Sequence, residues 1–262
     1  MLTFAIELKI TTMIILLFLI LHWYLSLFGQ TFFLHRYSAH KMFTMNKFWE
    51  KFFYLFSWIT QGSSYLNARA YAILHRMHHA YSDTEKDPHT PHFFKDAYQM
   101  MMHTRKIYND VLNKRVVVED KFDRNFPEYP AIDKIADSWY TRIAFGAFYF
   151  FCYLLVYIKV PGYHWSIFLL LPVHFLMGPI HGAIVNWAGH KYGYRNYEDG
   201  DKSRNTLIWD FLMLGELFQN NHHHAGARPN FANKWFEFDP TYPIMLLFEK
   251  LRIIKMVKVK NK

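Results

Sequence analysis

The chain has 262 residues, of which 52% are hydrophobic, 20% aromatic and only 19% charged, with a formal net charge of +9. This apolar load exceeds an average soluble composition, and it is clumped into runs that a mean hydropathy near zero conceals. The cations avoid those runs, which excludes an ordinary nucleic-acid binder and fits a membrane protein whose basic surface meets anionic headgroups or an anionic substrate; a solvated basic face is the plainer alternative.

Residues 11–29 (TTMIILLFLILHWYLSLFG) are apolar over the length needed to cross a bilayer. The segment lacks a basic start and a small-residue cleavage site, so it reads as a retained span, with His22 as a packing or interface residue. Immediately beyond comes His35-Arg-Tyr-Ser-Ala-His40. On an α-helix an i, i+5 pair lies about 140° apart, so this pair suits a helix end or two ligands serving two metals. Residues 48–65 are aromatic-rich, carry Glu50 and Lys51, and break at Gly62. A full crossing there would put His35 and His40 across the membrane from the next histidines, so the segment is expected to be interfacial or re-entrant.

The stretch YAILHRMHHAYSDTEKDPHTPH follows, with His75, His78 and His79 at i, i+3 and i+4 within an arc of roughly 100° on one helical face. Imidazole is the commonest side-chain metal ligand, and soluble helices rarely need three on one face. Two further apolar runs, residues 141–160 and 165–185, are joined by Pro161-Gly162 and form a helical hairpin. Cys152, the single cysteine, excludes an internal disulfide and reads as packing within the first of these runs. At the end of the last run stands Asn186-Trp-Ala-Gly-His190, an i, i+4 pair. Gln219-Asn-Asn-His222-His223 then repeats the i, i+3, i+4 spacing. His224, His181 and His174 fall about 140° to 180° from the neighbouring ligand faces. With the isolated His103 and His164, they read as buried residues, or as residues that support a ligand, rather than as ligands themselves.

Fifteen Lys and Arg lie in residues 36–134 and twelve more in residues 191–262, against Lys9 alone before the first span and Lys159 at the hairpin. By the positive-inside rule the polar stretches 35–138 and 186–262 face the cytoplasm. Lys258 and Lys260 stand five and three places from the end, as in endoplasmic-reticulum retrieval signals; a basic membrane-surface tail is the simpler reading. The expected fold is a single all-α integral membrane domain, residues 1–262. It has about three transmembrane helices, one interfacial helix and a helical cytoplasmic cap carrying a dimetal site.

Eight histidines and an amide exceed what one ion holds, since a closed zinc site takes four ligands. Two metals are the economical count. Imidazole-rich sites with open positions point to iron, with zinc and copper as alternatives on ligand type.

The motifs HRYSAH, HRMHH, NWAGH and QNNHH, in this order around a late hairpin, resemble the histidine boxes of membrane fatty acyl desaturases, nearest to the stearoyl-CoA delta-9 group. YSDTEKDPH, HKYGYRNY and GELFQNNHH extend the resemblance over about residues 29–255. It implies a cytoplasmic di-iron centre with His35, His40, His75, His78, His79, His190, His222 and His223 as ligands, and Asn186 contacting a metal through water. It also implies dioxygen as co-substrate, electrons from a ferredoxin or cytochrome b5-type donor, and a fatty acyl-CoA or other lipid-linked acyl substrate. The delta-9 pattern has histidine where this chain has Gln219. Front-end desaturases also carry glutamine there, so the change touches regioselectivity and one metal's coordination. The single span before the first box looks like a short, bacterial-style version, which points to a bacterial inner membrane rather than the endoplasmic reticulum.

Carboxylates that accept the other imidazole N–H fix metal-bound histidines, and Asp83, Glu85, Asp87, Asp210 and Glu216 are the candidates. Arg69, Arg76, Lys191 and Arg195 are candidates for meeting the phosphates of a coenzyme A thioester. Two rival readings are a lipid, alkane or carotenoid hydroxylase or ketolase on the same scaffold, and a membrane metal transporter. The i, i+5 first box and the Asn-His pair favour desaturation over the first. A transporter would place its ionisable ligands within the spans.

Overall fold

A computed structural model describes residues 2–258, with side chains from Met13 onward; Lys260 of the tail lies outside the described residues. The first helix, α1 (Leu2–Phe28), runs without interruption into a π-helical segment, Gly29–Ala39, and Met13–Ala39 is long and apolar enough to span a membrane. Strand β1 (Phe43–Met45) follows, then α2 (Lys47–Gln61), α3 (Ala68–Tyr81), α4 (Ala97–Leu112) and α5 (Pro130–Ala136). The second candidate span is α6 (Trp139–Lys159). A 3₁₀ turn (Trp165–Leu170) leads into α7 (Leu171–Phe175), followed by α8 (Met177–Lys191), α9 (Gln219–His224), α10 (Thr241–Lys250) and β2 (Ile254–Met256). The fold is all-α with 2 to 3 candidate spans. Its one small sheet pairs β1 with β2 antiparallel and ties the carboxy-terminal strand beside the first histidine box.

The third apolar run is not one straight span. It bends by 68° between α7 and α8. Pro179 sits in the first turn of α8, where its missing N–H is tolerated, and Leu176 leaves helical geometry. Backbone freed inside an apolar layer must find internal partners. The turn after α2 supplies them: Ser63 Oγ donates to the carbonyls of His174 and Phe175 at 3.4 Å, and Ser64 Oγ accepts from Gly178 N–H at 3.0 Å.

Helix α2 shows why residues 48–65 resisted assignment as a span. Asn46 caps it by accepting Trp49 N–H, and Gly62 ends it at φ +51°, with the Tyr149 hydroxyl packed where a Cβ would stand. Phe53, Tyr54, Ser57 and Gln61 face inward, whereas Phe48, Phe52 and Ile59 are exposed. The helix therefore has one buried and one exposed apolar face. Phe32, Phe33, Phe43, Phe53, Tyr54 and Phe231 form the main core beneath the π-helical segment and hold it against α2 and α3.

Candidate metal centre

Asn67 caps α3 by accepting the N–H groups of Arg69 and Ala70, which sets the register of the histidines that follow. His75 and His79 lie about 40° apart around the helix, and His78 is offset by about 60° to 100°. That offset divides them. His75 and His79 join His35, His40 and His222 in a cluster of five whose ligand atoms lie within 4.8 Å of one another. The Nε2 atoms of His40 and His75 are 2.7 Å apart, those of His35 and His222 2.9 Å, and those of His79 and His222 2.9 Å. His78 joins His190 and His223 in a second cluster. The i, i+1 pair His222 and His223 is split between the two in the same way.

The spacing of His35 and His40, which on an α-helix suits a helix end or two metals, meets a π-wound backbone here. His40 caps that segment, and its N–H donates to His35 C=O at 3.1 Å, an i→i+5 bond. Both rings reach the same cluster.

Carboxylates sit behind four of the eight rings. His35 Nδ1 donates to Glu216 at 2.5 Å, His78 Nδ1 to Asp87 at 2.9 Å, His190 Nδ1 to Asp83 at 3.1 Å and His223 Nδ1 to Asp201 at 2.6 Å. Each bond fixes the tautomer that leaves the Nε2 lone pair free to ligate. Among the expected carboxylates, Asp83, Asp87 and Glu216 accept from these rings. Glu85 does not: it is exposed on the loop. Asp210 is buried, but its carboxylate accepts the N–H groups of Met213, Gly215 and Leu217 and shapes the approach to α9 rather than a ligand ring.

Asp201 escaped the sequence reading because it lies 22 residues from His223 in a loop with no periodicity. Arg36 escaped too, hidden inside the first box. It is fully buried, pairs with Glu216 at 3.2 Å and Asp239 at 2.8 Å, and lies over the Phe231 ring. His89, also missed, packs at a tilt against His78 with ring centroids 4.4 Å apart and shares a candidate ligand group with His78 and Asp87.

Burial holds His40, His75, His78, His79 and His222 well below the ordinary imidazole range, with neighbouring rings adding to the effect. Neutral rings are the form that binds metal. For Asp83 and Asp201 burial pushes upward, but hydrogen bonds from His190 and His223 and from nearby N–H and hydroxyl groups outweigh it and hold both carboxyls down. His190 Nε2 is buried and has no hydrogen-bond partner among the described residues. An orphaned lone pair aimed among three imidazoles is what a bound cation satisfies.

Asn186 lies one turn before His190, half-buried. Gln219 opens α9 beside Gly189, and its Nε2 donates to Glu216 C=O at 2.7 Å. The cations expected at an anionic handle each have a partner within the protein. Arg69 pairs with Asp123, Arg76 donates to the carbonyls of Ser38, Ala39, Phe122 and Arg124, Lys191 lies over the Trp187 ring, and Arg195 pairs with Glu198. His224 stands outside both clusters, bonded to Asp199 and stacked on Tyr197. His174 pairs with His22, while His181 packs against Trp23.

The family model for fatty acid desaturases matches residues 10–233. The chain belongs to this family. It is a membrane oxidoreductase that desaturates fatty acyl chains. The desaturase is 28% identical over 250 residues to an sn-1 stearoyl-lipid 9-desaturase of Anabaena variabilis, covering 93% of this chain and 84% of the relative. It is similar to a protein of the same description from Synechocystis, at 28% over 239 residues, 88% of this chain and 67% of the relative. It is also 27% identical over 243 residues to an acyl-CoA 5-desaturase of Anemone leveillei, covering 89% of this chain and 68% of the relative.

Proposed function

We propose that the desaturase holds two iron ions and introduces a cis double bond into a long-chain acyl group carried by a membrane lipid, on the cytoplasmic face of a bacterial inner membrane. The division of the histidines into clusters of five and three carries this reading. His35, His40, His75, His79 and His222 would hold one ion. His78, His190 and His223 would hold the other, with Asn186 through water and Gln219 through its amide oxygen as further donors. Once bound, the ions supply the dioxygen-derived oxidant that an unactivated methylene requires and that no side chain offers.

The protein's own part is to keep the rings neutral, fix their tautomers through Glu216, Asp87, Asp83 and Asp201, and hold the acyl chain nearby. One acyl chain, one dioxygen, two protons and two electrons from an external donor of ferredoxin or cytochrome b5 type give one double bond and two waters.

One observation favours a lipid over a coenzyme A carrier. Arg69 and Arg76 spend their donors on Asp123 and on backbone carbonyls, which leaves less of the handle that a coenzyme A thioester demands. An apolar groove of about 440 Å³ opens between α1, α2 and α10, lined by Phe28, Trp49, Phe52, Phe56, Ile244 and Phe248, and would suit an acyl chain on either carrier. Relatives named for each carrier exist, so the carrier has to be measured. In a host lacking unsaturated fatty acids, new double bonds are expected first in glycerolipid acyl chains. Their first appearance in the acyl-CoA pool would overturn the lipid reading, and their absence from every lipid class would overturn the activity.

A further inference from the structure

We propose that the two metal positions are electrostatically unequal, and that the three-histidine position, backed by Asp83, Asp87 and Asp201, is the one that stabilises the ion of higher charge. This rests on the di-iron reading above.

All three rings of that position carry a carboxylate on Nδ1. The remaining contacts of those carboxylates are backbone N–H and hydroxyl groups: Lys202 N–H and Thr90 Oγ1 on Asp83, Asp83 N–H and His89 N–H on Asp87, and Ser203 on Asp201. Among the described residues no lysine or arginine side chain pairs with any of the three carboxylates, although Arg195 donates to the Asp201 carbonyl at 2.9 Å. The neighbouring His92 ring approaches Asp83 at 3.5 Å.

The five-histidine position is built otherwise. Only His35 is backed by a carboxylate, Glu216, and His222 Nδ1 is buried without a partner among the described residues. Glu216 in turn shares the buried Arg36 guanidinium with Asp239. Two carboxylates and one cation stand behind this position; behind the other stand three carboxylates, and the guanidinium beside them, Arg195, bonds the Asp201 carbonyl and is itself neutralised by Glu198.

Imidazole is neutral, so a greater number of rings adds donor strength but no charge. The added positive charge of a ferric over a ferrous ion is stabilised by the net negative charge around it, and burial limits screening of that interaction. A carboxylate behind a ring also makes the ring a stronger donor. Both effects favour the three-histidine position. Gln219 adds no charge and leaves the imbalance intact.

The test uses the full chain in lipid nanodiscs, loaded with ferrous iron and oxidised stepwise with ferricyanide. Wild type is expected to hold two irons and to give a mixed-valence form whose ferric ion couples to three histidine nitrogens by electron–nuclear double resonance. Asp201→Asn is expected to raise the first oxidation midpoint with little effect on the second, and Glu216→Gln to move chiefly the second. A ferric ion coupled to five nitrogens, or a first midpoint unmoved by Asp201→Asn, overturns the proposal. If Asp201→Asn loses its iron, the wild-type nitrogen count decides alone. Failure of wild type to bind two irons would instead overturn the di-iron reading beneath it.

Discussion

Asp83→Asn is the sharpest single test of how the second metal position is built. Asp83 accepts three groups at once, His190 Nδ1 at 3.1 Å, Lys202 N–H at 2.6 Å and Thr90 Oγ1 at 2.8 Å, with His92 Nε2 3.5 Å away. Asparagine keeps one acceptor oxygen but turns an NH₂ group toward donors. With Lys202 N–H fixed by the backbone, the imidazole is the group able to yield. It shifts its proton to Nε2, which removes the lone pair now aimed at the cluster. Loss of a carboxylate behind a ligand costs 10- to 100-fold in metal affinity, or about 1.4–2.7 kcal/mol.

The backbone should tolerate the change. Asp83 has φ +58°, a left-handed conformation that asparagine also adopts, whereas alanine there costs roughly 1–2 kcal/mol. The assay is iron per chain after dialysis against a graded chelator, together with the thermal midpoint of the metal-free protein. Iron should fall from two towards one per chain at chelator strengths that wild type resists, while the metal-free midpoint stays close to wild type. Two irons retained with wild-type affinity would refute the role given to Asp83.

Gln219→His places a ring at the position that the delta-9 pattern fills with histidine, and should tighten the second ion, because imidazole is a stronger donor than an amide oxygen; the same chelator competition reads it. Arg36→Met leaves Glu216 and Asp239 buried without their shared cation and should destabilise the fold by about 3–5 kcal/mol. Arg36→Lys should not rescue it, because one ammonium cannot reproduce the forked contacts; thermal unfolding in detergent measures both. Metal-free protein should lose stability as pH falls below the ordinary imidazole value of 6.5. His40, His75, His78, His79 and His222 are held neutral in the fold, so the unfolded chain binds more protons there and stability falls with pH; midpoints measured between pH 7 and pH 5 check the sign. Gly62→Ala sets a Cβ against the Tyr149 hydroxyl at a left-handed φ, so it should lower the thermal midpoint and loosen the turn that supports the α7–α8 bend.

The sequence by itself determined the membrane class, the faces of α3 and α9 that carry histidines, and the identity of the eight rings. Those properties follow from apolar run length and from a fixed helical period, both written in residue order. It also identified Glu216, Asp83 and Asp87 as carboxylates near the boxes. It left open whether His35 and His40 serve one ion or two, because the period assumed for an α-helix does not hold in a π-helical segment packed with Phe32 and Phe33. It drew the third apolar run as a straight helix, because the serines that make a bend affordable stand more than a hundred residues earlier.

Only the tertiary structure decided how the histidines divide. His78 parts from His75 and His79 because His190 and His223 approach one side of α3 while His35, His40 and His222 approach the other. The same packing brought Asp201 to His223 and turned Arg36 inward between Glu216 and Asp239. It also engaged the arginines that the sequence had left free for a substrate. Which donor meets which acceptor depends on distances between segments far apart in the chain, and local periodicity carries no record of those.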